Sequence, residues 1–447
     1  MRRQIPDCPD APEHPNKNDI TSKEFDIHVV TPLFGGGVEA GKNDPITLIR
    51  GSSIRGHLRF WWRATRGAAF ETWQDLKKAE EAIWGSSEQA SPVSIQVRIK
   101  NSGKVILNYK TEKQNAYPDY ALFPFQGMGQ NGPQKCREGI IFNLKIYFSN
   151  KDKEELYKKD VEAAVWAWIN LGGIGARTRR GVGALYSNKY SPDITNLGTS
   201  IQKTQEKIQA WYDQKLEDYN LELSKVKNAK PWPLAPTRFS VDGIQKKPIE
   251  CWKEALDLFK KFRQGEEFGR NRGKGRTPGR SRWPEADSIR KITGKSNANH
   301  KSPITPTVFF PRAAFGLPIQ FRFNIRTAPG DPAPYVLVPD IKDSKEARMA
   351  SPMILKPLAL SPTQAIGLSF NLITQFNATS LKLSPVGHRG SEHKDTEKSW
   401  KIMDPSLIKY SENHTRSPYQ HCSAPQNTRG LASNAFIIYF RERGLKK

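Results

Sequence analysis

A run of arginines at helical spacing is the feature of this sequence with the clearest chemical potential. Residues 53–70 read SIRGHLRFWWRATRGAAF, and at about 100° per residue four of their arginines fall within an arc under about 90° wide. These arginines are Arg55, Arg59, Arg63 and Arg66. The sequence places no acidic residue between Asp44 and Glu71 that could neutralise them. Guanidinium groups aligned in this way fit phosphates or the carboxylates of a partner, and the alternative is a solvated basic face.

The other side of the same helix is apolar and is expected to pack against a sheet. Its members are Ile54, Leu58, Trp61, Trp62, Thr65 and Ala69. Tryptophans at this spacing are more typical of a core than of a base-stacking platform. Ser52 or Ser53 is expected to cap the helix, and both serines, with the backbone N–H groups of the first turn, would form an anion site. Gly51 and Gly56 would let a ligand backbone come close.

A glycine-rich loop with three arginines is the second candidate. Residues 172–183 read GGIGARTRRGVG and follow a predicted helix, so they are neither a Walker loop nor a dinucleotide-binding turn. Glycines such as Gly173 and Gly175 permit positive φ, which lets N–H groups converge on a phosphate beside Arg177, Arg179 and Arg180. An ordinary helix-to-strand turn explains the spacing about equally well.

A third basic segment, GRNRGKGRTPGRSRWP at residues 269–284, contains no acidic residue. Its cations are Arg270, Arg272, Lys274, Arg276, Arg280 and Arg282. Segments of this type bind RNA phosphates with little sequence preference. A disordered, solubilising loop is an equally good interpretation.

Asp44 and His57 are the candidates for catalysis if the chain cuts RNA. A metal-assisted cut needs an acidic oxygen that positions the ion beside the phosphate. Asp44 offers a single carboxylate followed by Pro45, which is commoner in a turn. His57 falls beside the apolar arc, where packing or a phosphate hydrogen bond is expected. No other histidine belongs to an HxxxH or HExxH motif, so no metal site is predicted.

The elements that would position these residues follow a recognisable order. Alternating residues predict strands at 24–31, 93–99 and 140–148, and helical patterns cover 53–70 and 153–170. With a short strand after the glycine loop, the order is strand, helix, strand, strand, helix, strand. This is the split βαβ, ferredoxin-like pattern.

The second half predicts a further, decorated α+β domain. A solvated helix or connector is expected at 200–230, an amphipathic helix at 248–263 and a loop at 264–300. Strands are expected at 317–325, 353–358 and 435–440, and a long insertion or mobile loop at 376–430. The predicted divisions are a flexible arm at 1–23, a first domain at 24–195, a helical connector with the basic loop at 196–300 and a second domain at 301–447.

Composition limits the partners. The 447 residues include 70 Lys plus Arg against 45 Asp plus Glu, a formal charge of +25, which points first to nucleic acid. No stretch approaches the roughly 18 apolar residues of a membrane span, and no secretory signal is visible. Four cysteines without a CxxC pair fit reduced thiols in the cytoplasm. We therefore expect an intracellular RNA-binding protein with no cofactor and no small-molecule substrate.

The sequence also resembles a known family. The segments VVTPLFGGG at 29–37, IRGSSIRGHLRFWWRATRG at 49–67 and the glycine loop resemble the RAMP superfamily of CRISPR proteins. More narrowly, they resemble the first subunits of Cmr (type III-B) RNA-targeting complexes. The segments GRSRWPEADSIRKITG at 279–294, PRAAFGLPIQFRF at 311–323 and RMASPMILKP at 348–357 extend the resemblance over about residues 24 to 370.

The resemblance implies an α+β fold of two ferredoxin-like, RRM-related domains with long insertions. It implies a non-catalytic subunit that holds the 3′ part of the CRISPR guide RNA beside the target RNA, among other Cmr subunits, for antiviral defence. The residues carried over to the RNA cleft are Arg50, Ser52, Ser53, Arg55, His57 and Arg59, with Gly173, Gly175, Arg177 and Arg180 opposite. The alternatives are a metal-dependent endoribonuclease that uses Asp44 or His57, and a scaffold that contacts only protein.

Overall fold

The chain is described here by a computed structural model. It describes residues 20–35, 44, 46–106, 117–122, 125, 136–194, 197, 200–226, 228–265, 271–274, 277–281, 283–300, 308–324, 326, 328–340, 348–375, 380–386, 400–402 and 432–445. Helices and antiparallel sheets are both present in these ranges. The predicted α+β class is therefore confirmed.

A four-stranded antiparallel sheet organises the first half. Its strands are β1 (Thr21–Val29), β2 (Val93–Asn101), β5 (Ile141–Phe148) and β6 (Leu185–Tyr186). The spatial order is β2-β5-β1-β6, and the long β1–β5 pairing runs from Thr21 opposite Phe148 to His28 opposite Ile141. Two short strands, β3 (Lys104–Ile106) and β4 (Cys136–Glu138), lie between β2 and β5 in sequence and form a separate two-stranded sheet. Alternate residues of β1 are buried, so one face of the sheet packs on helices.

Helices α1 (Gly51–Arg66), α2 (Trp73–Trp84) and α4 (Lys151–Leu171) belong to the first half, and α3 (Asp119–Leu122) is a single turn. Thr72 caps α2 and Asn150 caps α4, each by accepting a hydrogen bond from a first-turn N–H group. Five members of the predicted apolar side of α1 are buried, namely Ile54, Leu58, Trp61, Trp62 and Thr65. The sixth, Ala69, is exposed, because α1 ends at Arg66 and Ala69 lies in the short 3-10 turn that follows. The four strands of this sheet with α1 and α4 follow the predicted order of strand, helix, strand, strand, helix, strand, and α2, β3, α3 and β4 are additional elements.

The second half contains a three-stranded sheet with two helices. Strands β7 (Ser240–Val241), β12 (Met353–Ala359) and β13 (Ala365–Asn371) lie in the order β12-β13-β7. Helices α6 (Pro248–Gln264) and α8 (Ala432–Leu445) contact this sheet. A second sheet has the order β10-β11-β14-β15. Its strands are β10 (Ile319–Phe321), β11 (Tyr335–Pro339), β14 (Leu381–Pro385) and β15 (Trp400–Ile402).

The solvated helix or connector expected at 200–230 is present as helix α5 (Ile201–Asp218), but one of its faces is buried. Ser200 caps it, and its residues Thr204, Ile208, Tyr212 and Leu216 are buried at a spacing of four. Tyr212 is fully buried and donates a hydrogen bond to the Pro236 carbonyl at 2.6 Å. These buried positions are few, but they lie on one face of the helix. Ile208, Tyr212 and Leu216 belong to the hydrophobic core that also contains Trp61 and Trp62, which we call the first core.

Two further expectations for the second half were wrong. Residues 435–440 lie in α8 rather than in a strand, because a short run that is apolar on all sides fits a buried helix as well as a strand. The expected loop at 264–300 contains the hairpin of β8 (Asn271–Lys274) and β9 (Thr277–Arg280), followed by helix α7 (Glu285–Thr293). The expected insertion at 376–430 stays a prediction. Its described residues contain β14 and β15, whereas its residues 376–379, 387–399 and 403–430 lie outside the described residues.

Strand β12 connects the two hydrophobic cores because its successive side chains point to opposite faces. Ile354 and Leu358 belong to the first core, whereas Met353 and Leu355 belong to the second. The predicted domain bounds stay predictions, as does the arm at 1–23, of which only residues 20–23 are described. Among the helices of the described ranges, none is both long and apolar enough to cross a bilayer.

Candidate nucleic-acid interface

The glycine loop is held against the segment that follows β1. The N–H group of Ala176 donates to the Phe34 carbonyl at 2.8 Å, and the N–H group of Gly183 donates to the Pro32 carbonyl at 2.9 Å. Gly175 has φ +82°, and a Cβ there would lie 2.4 Å from the Phe34 carbonyl oxygen. The close approach of the two backbones therefore requires glycine at this position. Gly173 is similar, since a Cβ would lie 2.8 Å from the Gly183 carbonyl oxygen.

The three loop arginines differ in what they contact. Arg177 has a left-handed backbone, with φ 58°, and its buried Nε has no hydrogen-bond partner among the described residues. Arg179 donates to the Ser351 carbonyl, and its guanidinium carbon lies 6.0 Å from the centre of the Phe60 ring. Arg180 is only 8% exposed and donates to the Met353 carbonyl at 2.7 Å. The expectation that Arg180 faces RNA directly is therefore corrected, because its guanidinium is directed at β12.

These arginines form a cluster with Arg263 from the last turn of α6. Arg180 and Arg263 lie over the same ring, with guanidinium carbons 5.0 and 5.8 Å from the centre of Phe259. Arg263 also donates to the Tyr120 hydroxyl at 2.8 Å. Burial lowers the pKa of Arg180 to about 10, and the neighbouring guanidiniums contribute to this lowering. We call Arg177, Arg179, Arg180 and Arg263 the arginine cluster.

The arginine cluster has no counter-ion within the described ranges. None of its four members forms an ion pair there with a carboxylate of the chain. Burial lowers the pKa of Arg177 and of Arg179. Cations that are partly removed from water repel each other and are stabilised when an anion joins them. The arginine cluster beside the glycine loop is therefore the candidate anion site.

The arginine row of α1, Arg55, Arg59, Arg63 and Arg66, is largely neutralised within the chain. Arg59 and Arg63 both donate to Glu80 of α2, whose side chain is only 2% exposed. Arg66 pairs with Asp160 of α4, and Arg55 donates to the carbonyl of Trp84. The expectation of an unneutralised stripe was wrong because acids from other helices reach it. Sequence spacing within one helix carries no information on such contacts.

The N-terminal end of α1 also differs from the prediction. The helix begins at Gly51 and its N-cap is Arg50, with no side-chain cap, so neither Ser52 nor Ser53 caps it. Asp44 accepts hydrogen bonds from the N–H groups of Ile46 and Thr47 at 2.9 and 2.8 Å. These bonds lower the pKa of the Asp44 carboxyl group, with a smaller contribution from Arg50 at 3.9 Å.

Asp44 therefore stabilises the turn before α1. In the described part of the chain, no group of three or more His, Cys, Asp or Glu side chains is suited to hold a metal ion. The turn interpretation of Asp44 fits this geometry better than a role as a metal ligand.

His57 lies on the side of α1 that faces the end of α4. Its ring stacks near Trp168, with centroids 6.3 Å apart and an interplanar angle of 18°. Burial lowers the pKa of His57 to about 4, so the imidazole is neutral near pH 7. A neutral imidazole offers one donor and one acceptor but no charge for a phosphate.

The basic segment at 269–284 is described only in part. Arg270, Arg276 and Arg282 lie outside the described residues, and Arg272 belongs to β8. Lys274 is exposed. Arg280 donates to Asp287 of α7 at 3.1 Å, so its expected role toward RNA is corrected to an ion pair inside the fold.

Glycine loop and α1 meet where Arg179 lies over Phe60. Of the residues predicted for an RNA cleft, His57, Gly173, Gly175, Arg177 and Arg179 are brought to this side of the molecule. Sequence reasoning missed Arg263 and Tyr120, which come from distant parts of the chain and belong to no recognisable motif. It also missed Glu80 and Asp160. Glu80 lies on α2, the next helix after α1, so its position was an available signal, whereas Asp160 lies on α4, far along the chain.

Comparison with known proteins gives concordant results. The sequence profile of the RAMP superfamily matches residues 26–186. The Pyrococcus furiosus protein named CRISPR system Cmr subunit Cmr1-2 is 30% identical over 176 residues, which cover 36% of this chain and 92% of that protein. Cmr subunit Cmr1-1 of the same organism is 30% identical over 158 residues, 34% of this chain and 45% of its own length. The match thus spans under half of the second relative.

Two solved structures are also similar in part. The crystal structure of apo Cmr1 from Pyrococcus furiosus aligns with a TM-score of 0.46 at 18% identity, over 79% of this chain and 88% of that one. A chain in the cryo-EM structure of the type III-B Cmr-beta complex bound to cognate target RNA and AMPPnP aligns with a TM-score of 0.41 at 14% identity. That alignment covers 79% of this chain and 94% of the other.

Proposed function

Because the chain belongs to the RAMP superfamily, as a homologue of the Cmr1 proteins, we propose that it is an RNA-binding subunit of a type III-B CRISPR effector complex. In this role it holds the 3′ part of the guide RNA and the adjacent target RNA, beside other Cmr subunits, in antiviral defence. Its two halves act as two ferredoxin-like domains. The strand orders β2-β5-β1-β6 and β12-β13-β7 support this, since in each a later strand lies between the first two.

The observation that carries the proposal is the arginine cluster. Four guanidiniums converge from the glycine loop and α6, with no carboxylate of the described chain to balance them. The protein as a whole carries a formal charge of +25. A polyanion that passes the loop would relieve the repulsion within the cluster and release counter-ions of its own. A single strand of RNA fits because phosphates can approach the loop while its bases face α1.

Within this proposal the arginines have different duties. Arg177 and Arg263 contact phosphate, because the guanidinium group of neither residue donates to a backbone carbonyl in the described structure. Arg179 and Arg180 bind carbonyls of Ser351 and Met353 and so fix the loop to β12, while their charges add to the local potential. The arginine row of α1 stabilises the packing of α2 and α4 and lies at the rim of the site.

The proposal assigns no chemical step to this chain. The Asp44 carboxylate accepts two backbone hydrogen bonds within its turn, and His57 is a weak base with a pKa of about 4. General-base catalysis is most efficient when the pKa of the base lies near the working pH. RNA cutting in the assembled complex is therefore attributed to other subunits.

Purification of the tagged chain with its natural partners tests the proposal. We expect a defined population of short guide RNAs to co-purify, and ultraviolet cross-links to map to peptides that contain residues 172–183. A matched preparation with Arg177→Ala and Arg263→Ala should retain the protein partners but lose these cross-links. Partners without RNA cross-links to this chain would support the protein-only scaffold and contradict the proposal.

A further inference from the structure

The exposed face of α1 contains a glycine that the fold itself does not require. Gly56 lies in the middle of the helix, is exposed, and a Cβ at this position would meet nothing within 4 Å. Its φ is not in the left-handed region, so no backbone constraint requires glycine. Glycine inside a helix is unfavourable compared with alanine. The open space above Gly56 is therefore available for a ligand that approaches the helix backbone.

The side chains around Gly56 have the chemistry of a nucleoside site. Phe60, one turn later, is half-buried, and the Arg179 guanidinium lies 6.0 Å from its ring centre. Aromatic rings and guanidinium planes are the surfaces on which unpaired bases stack. Trp61 and Trp62, in contrast, are buried in the core and offer no free ring face. Phe60 with Arg179 is thus the stacking surface that α1 and the glycine loop build together.

His57 supplies a neutral polar group beside this surface. Its ring contacts Trp168, and no hydrogen bond of its nitrogens is found within the described ranges. A neutral imidazole both donates and accepts hydrogen bonds. A ribose 2′-hydroxyl does the same, and it is the group by which proteins distinguish RNA from DNA. An uncharged partner of this kind suits His57 better than a phosphate.

We propose that Gly56, His57, Phe60 and Arg179 form a ribonucleotide subsite, in which a base stacks on Phe60 and Arg179 and His57 hydrogen-bonds to the 2′-hydroxyl. This inference rests on the proposed RNA-binding function and deepens it. The arginine cluster then provides affinity for the backbone, whereas the subsite selects ribose over deoxyribose. Gly56 is positioned so that the sugar can lie directly on the helix.

The test compares purified full-length variants on single-stranded oligonucleotides of one sequence, all-ribose or all-deoxyribose, at fixed salt. Wild-type protein should prefer RNA. His57→Phe should weaken RNA binding by roughly three- to tenfold, the value of one hydrogen bond, and leave DNA binding unchanged. The matched control is His28→Phe, because His28 alternates with the buried residues of β1 and so lies on the other face of the sheet. It should keep the preference for RNA.

Gly56→Leu gives a second measurement, in which a loss of RNA affinity cannot be explained by unfolding of the variant. Leucine favours helix more than glycine does and meets open space, so thermal unfolding should occur at the same or a higher temperature. Affinity for RNA should nevertheless fall by about tenfold or more, since the side chain fills the space of the sugar. An unchanged affinity would overturn the subsite.

The outcomes separate the subsite from the proposed function. If His57→Phe weakens the binding of RNA and of DNA equally, or weakens neither, the 2′-hydroxyl contact is wrong. The proposed function would still stand if RNA binding depends on Arg177 and Arg263. Should wild-type protein bind neither RNA nor DNA, alone or in its complex, the proposed function itself fails and the subsite fails with it.

Discussion

Lys356 of β12 donates a hydrogen bond of 2.8 Å to the main-chain carbonyl of Asn170, near the C-terminal end of α4. A second bond reaches the carbonyl of Ile169 at 3.1 Å. The lysine is fully buried and satisfies carbonyl groups that the end of a helix leaves unpaired. Lys356 therefore connects the second half of the chain to the glycine loop, which begins two residues after Asn170.

This buried lysine predicts a dependence of stability on pH. Burial lowers the pKa of Lys356 from 10.5 to about 7, so between these values the unfolded chain binds the proton and the folded chain does not. The free energy of unfolding should then rise with pH over this range, by at most about 1.4 kcal/mol for each pH unit. Urea unfolding at pH 7 and 9.5 measures the rise in wild-type protein and in Lys356→Met. An equal rise in both would contradict the assignment.

Glu80 predicts a structural role for the arginine row. Glu80→Gln removes the shared carboxylate of Arg59 and Arg63 and should lower the free energy of unfolding by about 1–3 kcal/mol. RNA affinity should not fall, since the substitution frees two cations. The neighbour Glu81, which pairs with exposed Lys77 at 3.7 Å, is the matched control, and Glu81→Gln should cost under about 0.5 kcal/mol. A large loss of RNA affinity in folded Glu80→Gln protein would show that the paired row is part of the site.

His57 predicts a second dependence on pH, at the acidic end. Its folded pKa of about 4 lies below the unfolded value of 6.5, so the unfolded chain binds more protons between the two. The free energy of unfolding should therefore decrease as pH falls from about 6.5 to 4. In His57→Gln this part of the decrease should be absent. Denaturant unfolding at pH 7 and 4.5 compares the two proteins, and parallel changes would contradict a half-buried imidazole that stays neutral in the folded chain.

Asp44 should prove dispensable for RNA cutting. Asp44→Ala removes two hydrogen bonds to backbone N–H groups and should loosen the turn before α1. Target cutting by the reconstituted complex should give the same products at the same rate. Disappearance of one product with Asp44→Ala and also with the isosteric Asp44→Asn, which keeps the oxygen acceptor of the turn but removes the carboxylate charge, would indicate a metal ligand and would favour the nuclease hypothesis.

The sequence was informative where a pattern is local. Period-two alternation located β1, β2 and β5, and helical spacing located α1, α4 and α6, because side chains within one element determine which face is buried. The same reasoning failed for 435–440, where a short run of apolar residues fits either helix or strand. It missed the buried face of α5 because four buried residues among charged ones suffice for one packed face.

The candidate site was predicted only in part because its electrostatics depend on residues from distant parts of the chain. The row on α1 was correctly placed on one helix face, yet Glu80 and Asp160 approach it from α2 and α4. Arg180 was identified from a glycine-rich loop, but contact with β12, more than 170 residues later, buries it. Arg263 joined the site through tertiary packing on Phe259, which no local motif indicates.

The salt dependence of RNA affinity tests the arginine cluster most directly. The logarithm of the association constant should fall linearly with the logarithm of salt concentration, and each phosphate contact on a single strand contributes about 0.7 to that slope. Arg177→Ala with Arg263→Ala should therefore make the slope shallower by about 1.4 and weaken binding at physiological salt. An unchanged slope and affinity in this folded double variant would contradict the account.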